Sequence, residues 1–183
     1  ILSKCVPAAY QLSAELLNSV VFTMVKTSVT YGNDPHSAFA YAMYGLLLSD
    51  SPDTLDQGFR FGELGVNLLR KFHSRALECR VKHIFYSHIA FTRLPLPTII
   101  SPMHDAVEAG LAHGDFEFVS YVGNVRCICY LFCSPKLEDA LREFDKELGL
   151  MKTLKIAYGV ILCSIFRQMA LNLSGNPSEP AVL

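Results

Sequence analysis

Apolar residues in this 183-residue chain recur at three- and four-residue intervals, and strand-like alternation is hard to find. From Ala8 to Val29, Leu12, Leu16, Val20 and Met24 fall at helical spacing, and the pattern stops at Tyr31-Gly32-Asn33. Asp34-Pro35 opens the next helix, because proline suits a first-turn position, and SAFAYAMYGLLL carries it to about Ser49. SDSPDTLDQ reads as a turn and a new N-cap, leading to a helix that reaches about Phe72. His73-Ser74-Arg75 loosens it, RALECRVKHIFYSHIAFTR predicts another, and LPLP ends that one. A helix from about Thr98 stops at Gly114, which can take the left-handed conformation that closes a helix. Asp115 is then placed to cap the next helix, DFEFVSYVGNVRCICYLFC, with Phe118 and Tyr121 facing back into the seam. Ser134-Pro135 caps KLEDALREFDKELGLM, and MKTLKIAYGVILCSIFRQMALNL closes a folded domain of residues 1–173. The polar, Pro-containing segment 174–183 reads as a flexible tail.

Taken in pairs, these helices start new hairpins near Pro35, Leu77, Asp115 and Lys152. That spacing of roughly forty residues is typical of two-helix repeats. The expected fold is all-α, an α-α superhelix of tetratricopeptide-like hairpins. Three sets of small residues mark helix faces suited to close crossing: Ala38, Ala42 and Gly45; Gly58, Gly62 and Gly65; Ala106, Ala109 and Gly110. Glycine inside a helix costs up to about 1 kcal/mol relative to alanine, so close packing is the expected compensation.

Composition narrows the function classes. Apolar residues make up 51% and charged residues 18%, which argues against a disordered chain. Lys and Arg number 16 against 17 Asp and Glu, so no global field favours nucleic acid or an acidic membrane. Most of the six cysteines (Cys5, Cys79, Cys127, Cys129, Cys133, Cys163) lie in apolar runs, which predicts reduced, buried thiols and a cytoplasmic setting. The longest uncharged apolar run, Ile156 to Phe166, is roughly half of a bilayer span. No basic, apolar leader opens the sequence, and the missing initiator Met suggests a piece of a longer protein.

Four ordered blocks carry a family resemblance: YGNDPHSAFAYAMYGLLL, DTLDQGFRFGELGVNLL, CRVKHIFYSHIAFTR with LPLP, and EAGLAHGDFEFVSY. Over about residues 5–155 the chain resembles the tetratricopeptide-like region of large signalling proteins. These are serine/threonine-kinase-like and hybrid histidine kinases that contain a STAND/AAA-type ATPase. The resemblance implies a cytoplasmic signal-transduction context. It implies no ATP binding or phosphoryl transfer by this chain, which lacks GxxxxGK[ST], HRD, DFG and a phospho-acceptor His box. The family commonly has an aromatic residue, often Trp, near Phe91-Thr92-Arg93, and this chain has no Trp.

The remaining constellations are weak as chemistry. The aspartates at 50, 53 and 56 lack the glycine and distal glutamate of an EF-hand loop, and read as capping and solvated residues. Cys127, Cys129 and Cys133 include no CxxC pair, and Cys127 is expected to point away from the other two. On an ideal α-helix His83 and His88, five apart, do not share a face. No catalytic residue, cofactor or metal ligand is assigned. Aromatic and basic residues gather in the first two hairpins, and Tyr44, Arg60, Phe61, Arg80, Tyr86 and Arg93 are the candidate partner-binding set. Arg60 and Arg80 stand out because each lies among apolar neighbours, where a lone charge needs a partner. The expected function is a non-catalytic interaction or spacer module of a multidomain ATPase/kinase. Its expected partners are protein domains or peptides, including adjacent domains of the parent chain, with no nucleic acid and no membrane span. The alternative is a self-contained helical enzyme, or a small-molecule sensor, with an internal apolar cavity.

Overall fold

A computed structural model describes residues 1–175, all of them in helices or the turns between helices. Nine α-helices occur among the described residues: α1 (Leu2–Leu12), α2 (Ala14–Tyr31), α3 (Ser37–Leu48), α4 (Leu55–Lys71), α5 (Glu78–Ile84), α6 (Leu96–His113), α7 (Phe116–Cys133), α8 (Leu137–Thr153) and α9 (Ala157–Leu173). They belong to two compact units, Ile1–Arg93 and Leu94–Leu183. The expected tail falls almost wholly on residues 176–183, outside the described residues.

In the first unit α1 packs on α2, α2 on α3, and α3 on both α4 and α5. In the second unit α6 packs on α7, and α7 on both α8 and α9. Each unit thus places a helix against its sequence neighbour and against the helix after that, as stacked hairpins require. Equivalent helices open at Ser37 and Glu78, and at Phe116 and Ala157, forty-one residues apart in both cases. The all-α class and the hairpin spacing are therefore present within each unit.

Several boundaries differ from the sequence reading. The stretch Ala8–Val29 is not one helix: Ser13 takes an extended conformation and its Oγ accepts from the N–H groups of Glu15 and Leu16 at 3.2 and 3.3 Å. This cap starts α2 afresh, although the apolar spacing continues across it. The run beginning at Met151 is also divided, because Lys155 adopts φ 57° between α8 and α9. No glycine marked that turn. Asp34 behaves as expected at a helix entry, its carboxylate accepting from Ser37 N at 3.0 Å while Ser37 Oγ accepts from Asp34 N at 3.1 Å.

Gly114 closes α6 at φ 73°, in the left-handed region where side chains with a Cβ are strained. Asp115 occupies the N-cap position of α7, yet its side chain accepts no capping bond; its carbonyl receives the Val119 N–H instead. Phe118 is buried and meets Tyr121 edge to face at 5.6 Å. Tyr121 in turn meets Tyr158 of α9 at 6.2 Å.

The tightest helix contact is between α3 and α4. A Cβ built on Gly45 would lie 2.6 Å from the Gly58 carbonyl oxygen and 2.7 Å from Gly62 N. One built on Gly65 would lie 2.6 Å from the Ala38 carbonyl oxygen and 3.2 Å from the Ala42 Cβ. Two of the three small-residue sets read from sequence thus face one another backbone to backbone. Close approach lets apolar surface on both helices be buried without an intervening layer of side chains.

Candidate functional site

The six candidate partner-binding residues lie in the first unit, but they do not form one cluster. Tyr44 of α3 and Phe61 of α4 pack edge to face with ring centres 4.8 Å apart. Tyr41 stacks on Phe61 at 6.1 Å, its hydroxyl donating to Asn33 Oδ1 at 3.0 Å. On the other side, Phe22 of α2 meets Tyr44 at 6.0 Å. The result is an aromatic strip, Phe22–Tyr44–Phe61, that crosses three helices. Phe22 is 53% exposed at its end, while Tyr44 and Phe61 are partly exposed.

Tyr86 belongs to a second aromatic group. It meets Phe85 at 4.9 Å, and Phe85 meets Phe59 at 5.4 Å. Arg93 lies 5.2 Å over the Phe59 ring and also pairs with Asp56. One of the three loop aspartates is thereby an ion-pair partner as well as a solvated group. Arg80 stands 5.7 Å over the ring of the fully buried Phe39, so a cation–π contact gives it a partner. Arg60 is exposed, so its charge faces solvent and not the apolar interior that its sequence neighbours suggested.

Two histidines that ideal α-helical spacing separates are brought together. A π-helical turn, Phe85–Ile89, follows α5 and bonds Ala90 N–H to the Phe85 carbonyl in the i to i+5 pattern. The wider turn aligns residues five apart, and the rings of His83 and His88 meet at 5.1 Å, nearly perpendicular, with their Nε2 atoms 3.4 Å apart. Ser87 Oγ lies 3.1 Å from His83 Nδ1.

Burial, and then the neighbouring His88, hold His83 down to about 3, and burial also lowers His88. Both imidazoles are neutral at pH 7. An unfolded histidine titrates near 6.5, so between that value and about 3 the unfolded chain takes up a proton that folded His83 refuses. Stability is therefore level above pH 6.5 and falls as the pH drops through this window, by about 2 kcal/mol at pH 5 from His83 alone. Urea unfolding of metal-free protein at pH 7 and pH 5 checks this. The loss should be about 2 kcal/mol smaller in His83→Gln, and an equal loss in both proteins would refute it.

The second unit holds a buried polar centre that the sequence reading passed over. Arg126 of α7 is 5% exposed and Glu147 of α8 is 2% exposed. Arg126 Nη2 donates to Glu147 Oε1 at 3.0 Å and to His104 Nε2 of α6 at 3.0 Å. Its Nε and Nη2 also donate to the Tyr130 hydroxyl at 3.2 and 2.7 Å. Since Arg only donates, His104 Nε2 carries the lone pair, in keeping with a pKa lowered first by burial and then by Arg126. Burial raises the Glu147 pKa and outweighs the opposing pull of Arg126. Glu147 Oε2 is buried without a hydrogen-bond partner among the described residues, close to Gly123. This centre ties α6, α7 and α8 together. Its signal was legible: Arg126 is a lone charge within VGNVRCICYLF.

His104 therefore belongs to this centre, whereas His113 Nδ1 bonds the Ala109 carbonyl at 2.9 Å on its own helix. All six cysteines are free thiols. Cys127 lies 3.7 Å from Cys163 of α9, sulfur to sulfur. Among the described residues no group of three or more His, Cys, Asp or Glu could hold a metal ion, and no helix is long and apolar enough to cross a membrane. No protein-family model, curated protein or solved structure matches the chain.

Proposed function

We propose that this chain is a non-catalytic helical-repeat interaction and spacer module of a multidomain signal-transduction ATPase or kinase. It docks a protein segment, such as one from an adjacent domain of the parent chain, along the strip Phe22–Tyr44–Phe61. The observation that supports this reading is the gradation of exposure along three rings already in contact. Tyr44 and Phe61 are held in place by their neighbours, so little side-chain entropy is lost on binding, and Phe22 offers the open edge. Arg60, exposed on α4 beside Phe61 in sequence, supplies a cation for an acidic or carbonyl-rich segment. The four sequence blocks that resemble the kinase-associated repeat region support the signalling context.

The test begins with the full reading frame, where a phosphate-loop ATPase and a kinase on either side support the context and the lack of both removes it. Binding of the isolated flanking domains to this chain should then weaken about tenfold in Phe22→Ala/Arg60→Ala, with an unchanged melting temperature. Undiminished binding would discard the strip as the docking surface.

A further inference from the structure

The His83–His88 pair has a geometry that its packing role does not require. A tetrahedral zinc ion bound at about 2.0–2.1 Å by two imidazole nitrogens sets those nitrogens about 3.3–3.4 Å apart. The rings, tilted toward a shared ion, then have centres separated by about 5.2 Å. The two Nε2 atoms are 3.4 Å apart and the ring centres 5.1 Å apart, and both distances match such a pair.

Ser87 completes the argument. A histidine that ligates through Nε2 carries its proton on Nδ1 and typically donates it to a nearby oxygen, which fixes the ring. Ser87 Oγ stands at that position, 3.1 Å from His83 Nδ1. The π-helical turn that produces the pairing is a local departure from α-helical geometry of a kind frequent at functional sites.

We propose that His83 and His88 form a two-imidazole site for a divalent transition metal, with zinc as the best-fitting ion and Ser87 as a positioning residue. His83 is buried and His88 partly exposed. With no third protein ligand grouped there among the described residues, water or an incoming donor takes the remaining positions. Such a site is exchangeable and open, unlike the closed four-ligand sites that hold zinc structurally.

Calorimetric titration of the metal-free full chain with Zn²⁺ should show one ion per chain. The melting temperature should rise with zinc concentration, because the ion binds the folded state preferentially. His88→Gln, at a partly exposed position, should abolish the bound equivalent while the protein remains folded by circular dichroism. Ser87→Ala should weaken binding about tenfold. Co²⁺ in place of Zn²⁺ should give the intense visible absorption of a four-coordinate ion, absent in His88→Gln. Failure to bind zinc, or equal binding by His88→Gln, would overturn the proposal and leave the pair as a neutral imidazole–imidazole hydrogen bond. Because the docking strip lies on α2, α3 and α4, Phe22→Ala/Arg60→Ala should retain full zinc binding.

Discussion

Gly45→Val is expected to destabilise the protein by about 3 kcal/mol, the upper part of the usual range for overpacking. Valine would place a Cβ 2.6 Å from the Gly58 carbonyl oxygen and 2.7 Å from Gly62 N. Both are backbone atoms of α4, so no side chain can swing aside, and the two helices must separate or shift along one another. Separation would also loosen the contact between Gly65 and Ala38, two turns away on the same interface. Helix propensity pulls the other way, since glycine is the poorer helix former, but by less than about 1 kcal/mol. Gly149 provides the control. It lies within α8 with nothing among the described residues inside 4 Å of a built Cβ, and valine there should change stability by less than about 0.5 kcal/mol. Chemical denaturation of both variants separates the effects, and equal stability in the two would refute the close-crossing argument.

Arg126→Met is expected to cost about 3–5 kcal/mol, because it leaves Glu147 buried without its ion-pair partner. Glu147 already has one oxygen without a hydrogen bond among the described residues, and burial already raises its pKa. Losing Arg126 also withdraws the donors to His104 Nε2 and the Tyr130 hydroxyl. A group whose folded pKa is raised costs most above that pKa. The deficit should therefore shrink as the pH falls toward the ordinary carboxyl range and Glu147 takes a proton. Arg126→Met/Glu147→Leu should recover most of the loss, since apolar replacement of a buried pair is often neutral. A single variant as stable as the parent would show that the centre contributes nothing to the fold. A double variant no better than the single one would show that the cost lies in the lost packing of the arginine stem.

Both predictions rest on contacts between helices, yet they differ in how far the sequence announced them. Gly58, Gly62 and Gly65 recur on one face of a helix where glycine is unfavourable, and a close crossing explains that expense. Their partners Ala38, Ala42 and Gly45 carry the matching pattern. Arg126 was equally visible as a charge among apolar residues, but nothing nearby in sequence named Glu147 or His104 as its partners. The same reasoning applied to Arg60 points to a buried charge, and the structure exposes it to water. A lone charge in an apolar run shows that something must satisfy it, and leaves open whether that is a side chain, a ring or solvent.

The break at Ser13 lay within an uninterrupted apolar pattern, and the turn at Lys155 used a residue with no special preference for positive φ. His83 and His88 show the same limit at finer scale. Their spacing was read with the α-helical period, and the local change to a π-helical turn reverses the conclusion.

The sequence by itself determined where most of the helices lie, their grouping at intervals of about forty residues, and which faces of α3 and α4 are small enough to cross. Those properties follow from backbone hydrogen bonds and side-chain patterns that repeat within a few residues. Only the tertiary structure decided that Phe22, Tyr44 and Phe61 form one strip, that Arg126 meets Glu147 and His104, and that the imidazoles of His83 and His88 meet Nε2 to Nε2. These meetings depend on the rotation of each helix about its axis and on local pitch. Packing sets both, over distances that sequence periodicity does not span.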